Sequence, residues 1–160
     1  MRYNIEDYLK ERILVLDGAM GTCIQGYNLN EQEFTGNCNC HRGQKGNNDL
    51  LNITHPEIIK EIHKRYLEAG ADIIETNTFN ATRISQKDYG MEDKVYELNF
   101  LGAKLAREEA DLFTNVDPSK PRFVAGSIGP TNRTASLSPD VENPGATPGA
   151  CRWWRRYYNY

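Results

Sequence analysis

Three short polar clusters carry most of the side chains that could do chemistry. The first is Asp17-Gly18-Ala19-Met20-Gly21-Thr22, an acid and two glycines directly after the apolar run Ile13-Leu14-Val15-Leu16. Glycines let a ligand approach the backbone closely, and Asp17 offers a fixed negative charge to a cationic group. A tight strand-exit turn with a helix-capping aspartate accounts for the same residues. The second is Glu75-Thr76-Asn77-Thr78, four hydrogen-bonding side chains in a row after Ala71-Asp72-Ile73-Ile74. A structural strand exit rarely needs so many, whereas a polar pocket wall does. The third, Gly126-Ser127-Ile128-Gly129, follows Arg122-Phe123-Val124-Ala125.

The thiols and imidazoles are less telling. Cys38-Asn39-Cys40-His41 groups three metal-type ligands, but structural zinc sites use two to four residues between paired cysteines and need a second pair, which is missing here. No metal site is expected from it. Cys23 reads as a packing residue, His55 and His63 as surface or capping residues, and all four cysteines as free thiols. There is no G-x-G-x-x-G and no Walker lysine, so a nucleotide site is not indicated.

Each polar cluster needs an element to hold it. Ile13–Leu16, 71–74 and 122–125 are short apolar runs without alternation, as in strands buried on both faces of a parallel sheet. Between the first two, Thr54-His55-Pro56-Glu57 fits a capping box, and Ile58, Ile59, Ile62, Tyr66 and Leu67 form one helical stripe that ends at Gly70. Between the second and third, 93–113 reads as a long helix with Val95, Leu98, Leu101, Leu105 and Leu112 facing inward. A short polar helix is expected over 6–10, and the Asn-, Gly- and Gln-rich stretch 26–52 reads as a long loop. Strands alternating with helices imply an α/β fold, with the chemistry at the carboxyl ends of its strands.

Composition narrows the classes. The 160 residues are 39% hydrophobic and 26% charged, as in a soluble globular protein, and a net charge of −3 gives no general pull toward nucleic acid or anionic membrane. No apolar run approaches the roughly 20 residues of a membrane span. The N-terminus lacks the pattern of a signal peptide, so a cytoplasmic location is expected. Charge is uneven, however. Residues 146–160 hold Arg152, Arg155 and Arg156 and no acid, leaving 16 basic and 22 acidic residues in 1–145. Both tryptophans and three of the nine tyrosines also lie in 146–160. The break divides the chain into a folded domain, 1–145, and an atypical Arg/Trp/Tyr tail, 146–160.

Three segments then carry a resemblance. ERILVLDGAMGTCIQ, NNDLLNITHPEIIKEIHKRYLEAGADIIETNTFNAT and RFVAGSIGPTNRTASLSPDVENPG closely resemble the N-terminal homocysteine-binding module of cobalamin-dependent methionine synthases, over about residues 11–145. The resemblance implies a partial (β/α)8 TIM barrel holding about the first three strands and their intervening helices. It implies homocysteine as substrate, with Asp17 and Gly18 holding its amino and carboxylate groups and Glu75, Thr76 and Ser127 lining the same pocket. It further implies a methyltransferase that moves a methyl group from methylcobalamin to zinc-bound homocysteine, with cobalamin and folate modules as partners in the full-length enzyme. The family's zinc cysteines lie in an Asn-Cys and a Gly-Gly-Cys-Cys-Gly motif that this sequence lacks, so no zinc or cobalamin is expected on this chain and no activity from it alone. A complete barrel needs about 250 residues, and a truncation or frameshift near residue 146 is the economical reading of the tail. The alternative is a non-catalytic half-barrel that serves as a binding or interaction module.

Overall fold

A computed structural model describes residues 3–38 and 40–130. Helices dominate it: α1 (Ile5–Glu11), α2 (Met20–Gln25), α3 (Glu31–Thr35), α4 (Leu51–Thr54), α5 (Pro56–Glu68), α6 (Arg83–Gln86) and α7 (Val95–Val116). Two strands, β1 (Ile73–Glu75) and β2 (Phe123–Ala125), form an open parallel sheet in the register Ile73↔Phe123, Ile74↔Val124, Glu75↔Ala125. On the other side of β1, Leu16 makes a single parallel bridge to Ile73.

The expected α/β partial barrel is therefore not what forms. The fold is mainly helical, with one two-stranded sheet that does not close. The run Ile13–Leu16 is the reason on one side. Ile13 is 88% exposed, Val15 55% and Leu16 48%, so among the described residues no layer covers the segment, and it makes a bridge instead of a strand buried on both faces. On the other side, β2 has only β1 for a ladder partner among the described residues, whereas a closed sheet pairs every strand twice.

The two long helices hold this sheet. In α5, Ile58, Ile59, Ile62 and Leu67 are buried as the periodicity predicts, and Gly70, at φ +107°, turns the chain out of the helix in a conformation glycine tolerates. The box expected at its start is absent: Thr54 closes α4 with its hydroxyl on Leu50 O, His55 is the N-cap without a side-chain bond, and Glu57 pairs with His55 Nδ1 at 2.8 Å. A capping box forms instead at Asn30 and Glu33, at the head of α3. In α7, Leu98 and Leu105 face the core, but Leu112 is 57% exposed, and the inner stripe continues through Ala106 and Ala110. Ile74 of β1 packs with Leu67 of α5 and with Ala106 and Ala110 of α7. Among the described residues, no helix is long and apolar enough to cross a membrane.

Three further expectations are corrected here. The stretch 26–52 holds α3, a 3-10 turn at Asn48–Leu50 and the start of α4, with Phe34, Leu50 and Leu51 in the core. His63 is wholly buried on α5, its two ring nitrogens have no hydrogen-bond partner among the described residues, and burial lowers its pKa to about 4. Cys38 and Cys40 are joined as a disulfide, while Cys23 is a free thiol. Arg152, Cys151 and the rest of the 146–160 tail lie outside the described residues.

Candidate functional site

A cleft of about 320 Å³ opens past the carboxyl ends of β1 and β2. The turn from Gly18 to Gly21 forms one wall, and Glu75, Thr76 and Asn77 leave β1 along another. Ser127, after β2, and the 3-10 turn carrying Asn48 and Asp49 complete it with Phe79 and Asn80. Of the five residues that the sequence singles out, Gly18, Glu75, Thr76 and Ser127 thus line one cleft.

Asp17 stands behind that lining. Both of its carboxylate oxygens accept from Glu75 N, at 3.1 Å each, and its own N donates to Ile73 O at 2.9 Å. It fixes the direction in which the chain leaves β1. Burial pushes its carboxyl up to about 6 despite those bonds, and the negative charge of Glu75 adds to the shift.

Thr76 is also committed to the frame. Ser127 N donates to Thr76 Oγ1 at 3.0 Å, and the Thr78 hydroxyl donates to Ser127 O at 2.9 Å. The Thr78 proton being used, the 2.6 Å contact between the two hydroxyls has Thr76 as donor. A closed relay of three polar groups therefore holds Ser127 at the cleft. Beneath it α7 comes close: a Cβ on Gly102 would lie 2.6 Å from Thr78 Cγ2 and 2.8 Å from Asn52 Nδ2, so only glycine lets the helix pass there.

The wall carrying Asn48 and Asp49 was hidden in the sequence by its loop-like composition. It rests on buried amides. Asn47 and Gln86 exchange amide hydrogen bonds, 3.0 Å each way, and Gln44 accepts from Asn47 at 3.1 Å. Asn77 Nδ2 donates to Asn48 O at 2.8 Å, and Asn52 Nδ2 donates to Asn77 O at 2.7 Å. Asparagine and glutamine at this density read as loop, yet here they replace a ladder. Asp49 itself accepts from Asn80 N at 3.1 Å, and burial pushes its carboxyl up to about 6.

The cleft is thus acidic. Among the described residues no lysine, arginine or histidine pairs with Asp17, Asp49 or Glu75. Such a site suits a small ligand with a cationic end, held also by amide and hydroxyl groups. It does not suit a metal: among the described residues no three His, Cys, Asp or Glu side chains converge to hold one, and Cys38 and Cys40 are bonded to each other. Beside the turn, Cys23 Sγ lies 3.6 Å from Tyr66 Oη, a pair tied to the core and not to the lining.

Comparison with known proteins fits this geometry. Residues 14–155 match the family model described as homocysteine S-methyltransferase. The metallated form of the homocysteine methyltransferase MmuM from Escherichia coli is similar at 25% identity and a TM-score of 0.60, over 79% of this chain and 41% of that one. Its oxidised form is similar at 27% identity and a TM-score of 0.60, over 76% and 39%. The chain therefore spans about two fifths of the length of these structures. They correct the finer expectations drawn from resemblance. The likeness is to a homocysteine methyltransferase and not to a cobalamin-dependent methionine synthase, so methyl transfer from methylcobalamin, cobalamin as a cofactor, and cobalamin and folate modules as partners lose their basis. Zinc-bound homocysteine likewise finds no ligand set among the described residues. What the matched residues establish is broader and firm: the chain belongs to the homocysteine S-methyltransferase family.

Proposed function

We propose that this chain supplies the amino-acid-binding wall of a methyltransferase that methylates the sulfur of homocysteine. The observation that carries the reading is the single cleft shared by Gly18, Glu75, Thr76 and Ser127 in a member of this family. Gly18 and the glycine-rich turn leave room for the ligand's backbone-like end, Glu75 presents charge to its ammonium group, and Ser127 offers a hydroxyl. Asp17 and Thr76 position Glu75 and Ser127 from behind.

The chemistry divides by charge. In the transfer an S–CH3 bond forms, the bond from methyl to its donor breaks, and the thiol proton is lost. A thiol near pKa 8.5 is only a few per cent ionised at neutral pH. Carboxylates in the wall disfavour a thiolate beside them. These residues therefore serve the ammonium end and orient the ligand, which is where positioning lowers the barrier. The isolated chain binds but does not activate.

Isothermal titration of the 160-residue chain with homocysteine tests this. One site per chain is expected, with affinity at least tenfold weaker in Glu75→Gln. No binding heat, or binding indifferent to that substitution, would overturn the reading.

A further inference from the structure

A second cavity, of about 450 Å³, shares no lining residue with the strand-end cleft. Cys38, Ile53, Thr54 and Met91 form part of its wall. Cys38 is bonded to Cys40, and the two sulfurs differ in their surroundings. Cys38 is half-buried and lines the cavity. Cys40 does not line it, and its Sγ lies 3.7 Å from Sδ of Met91, a residue only 5% exposed. A disulfide sulfur carries no proton, so this is a packing contact and not a hydrogen bond. Behind it stands the buried cluster of Leu50, Ala81, Met91 and Leu98. A bridge across one intervening residue removes little freedom from the unfolded chain, so the fold loses little when the bridge opens.

We infer that this cavity is a thiol–disulfide exchange site, where a small aliphatic thiol is taken up on Cys38 and Cys40 is the leaving sulfur. The inference is independent of what the strand-end cleft binds. The incoming thiolate attacks Cys38 Sγ, a new S–S bond forms, and the Cys38–Cys40 bond breaks with its electron pair leaving on Cys40 Sγ. Cys40 then takes up the proton that the incoming thiol gave up, so the exchange balances without an outside oxidant or reductant. Attack requires access to the sulfur, which the cavity gives to Cys38, while Met91 covers Cys40. The apolar cluster disfavours a Cys40 thiolate, so opening and re-closure are both slow and the adduct persists once formed. A bridge that only braces its loop would show no such preference between its two sulfurs.

The experiment incubates the 160-residue chain with reduced glutathione near pH 8, quenches in acid, alkylates the remaining thiols with N-ethylmaleimide and maps the peptides by tandem mass spectrometry. Before glutathione is added, neither Cys38 nor Cys40 should be alkylated. Afterwards glutathione should be found on Cys38 and the alkyl group on Cys40. In urea, where the cavity is lost, the adduct should spread over both sulfurs. Asn37→Trp, at the exposed rim of the cavity, should slow the adduct by roughly fivefold or more without lowering the melting temperature, because it narrows the approach to Cys38. Alkylation of both cysteines at the outset, an adduct on Cys40, or a pair recovered only as disulfide or as two alkylated thiols would overturn the assignment. So would a preference for Cys38 that survives urea, or a rate unchanged in Asn37→Trp.

Discussion

At the amino end of β1, Asp72 is 1% exposed and fully matched: Arg12 grips it with two nitrogens at 2.8 and 2.9 Å, Lys120 lies 3.7 Å away, and Val15 N donates at 2.9 Å. The Arg12 hydrogen bonds hold its carboxyl down to about 2. Past the carboxyl end of the same strand, Asp49 is also 1% exposed, pairs with no cation among the described residues, and is pushed up to about 6, chiefly by burial. Both side chains are closed to solvent, but burial is the largest cause of the shift at Asp49, whereas at Asp72 the Arg12 hydrogen bonds outweigh it; the cation partner is what turns the shift downward. A matched carboxylate ties Arg12 and the 13–16 segment to β1 and serves stability. Unmatched ones weaken the fold and leave a vacancy of charge for a ligand, the pattern expected where function is placed against stability.

The comparison can be broken most forcefully at the matched end. Asp72→Asn should lower unfolding stability by about 2–4 kcal/mol, measured by urea denaturation, because Arg12 and Lys120 lose their counter-charge and Val15 its anchor. Next comes the cleft floor. Gly102→Ala should cost about 1–3 kcal/mol, since the new methyl group collides with Thr78 and Asn52. At the unmatched end the sign reverses: Asp49→Asn should raise stability by about 1–2 kcal/mol at pH 7, because it removes a charge held without a partner while keeping an acceptor for Asn80 N.

The smallest effect sharpens the contrast through pH. With folded values near 6 and unfolded values near 4, Asp17 and Asp49 bind protons in the folded state first, so their penalty disappears as pH falls from 7 to 4. The stability advantage of Asp49→Asn should therefore shrink toward zero at pH 4. His63 works in the opposite direction. Its folded value near 4 lies below the unfolded 6.5, so its contribution is lost over the same interval. Asp72 contributes in full above its unfolded value and loses that contribution only as pH falls toward 2. Thermal melts of wild type and Asp49→Asn from pH 7 to pH 3 would show all of this.

How much could be read beforehand follows the same division. Local periodicity located α5 to within two residues at each end and α7 to within three, because each buries a stripe that repeats at helical spacing. The exits from β1 and β2 were visible because polar residues crowd after apolar ones. What covers an element was not visible: Ile13–Leu16 has the composition of a doubly buried strand, but Ile13 and Val15 face outward. Nor was the Asn48–Asp49 wall, because an asparagine that stitches buried backbone has the same letter as one in a solvated loop. His63 was missed for a related reason, as its place on the inner face of α5 becomes clear only once α7 is packed against that helix.

Two solvent-shielded aspartates near opposite ends of β1 have pKa values shifted in opposite directions, because Arg12 matches Asp72 while Asp49 is buried with no cation beside it among the described residues. A pH titration of carboxyl 13C resonances in the 160-residue chain, with aspartates assigned by Asp49→Asn and Asp72→Asn, tests it most directly. Asp49 should titrate near 6 and Asp72 near 2. Both titrating in the ordinary range near 4 would contradict the account.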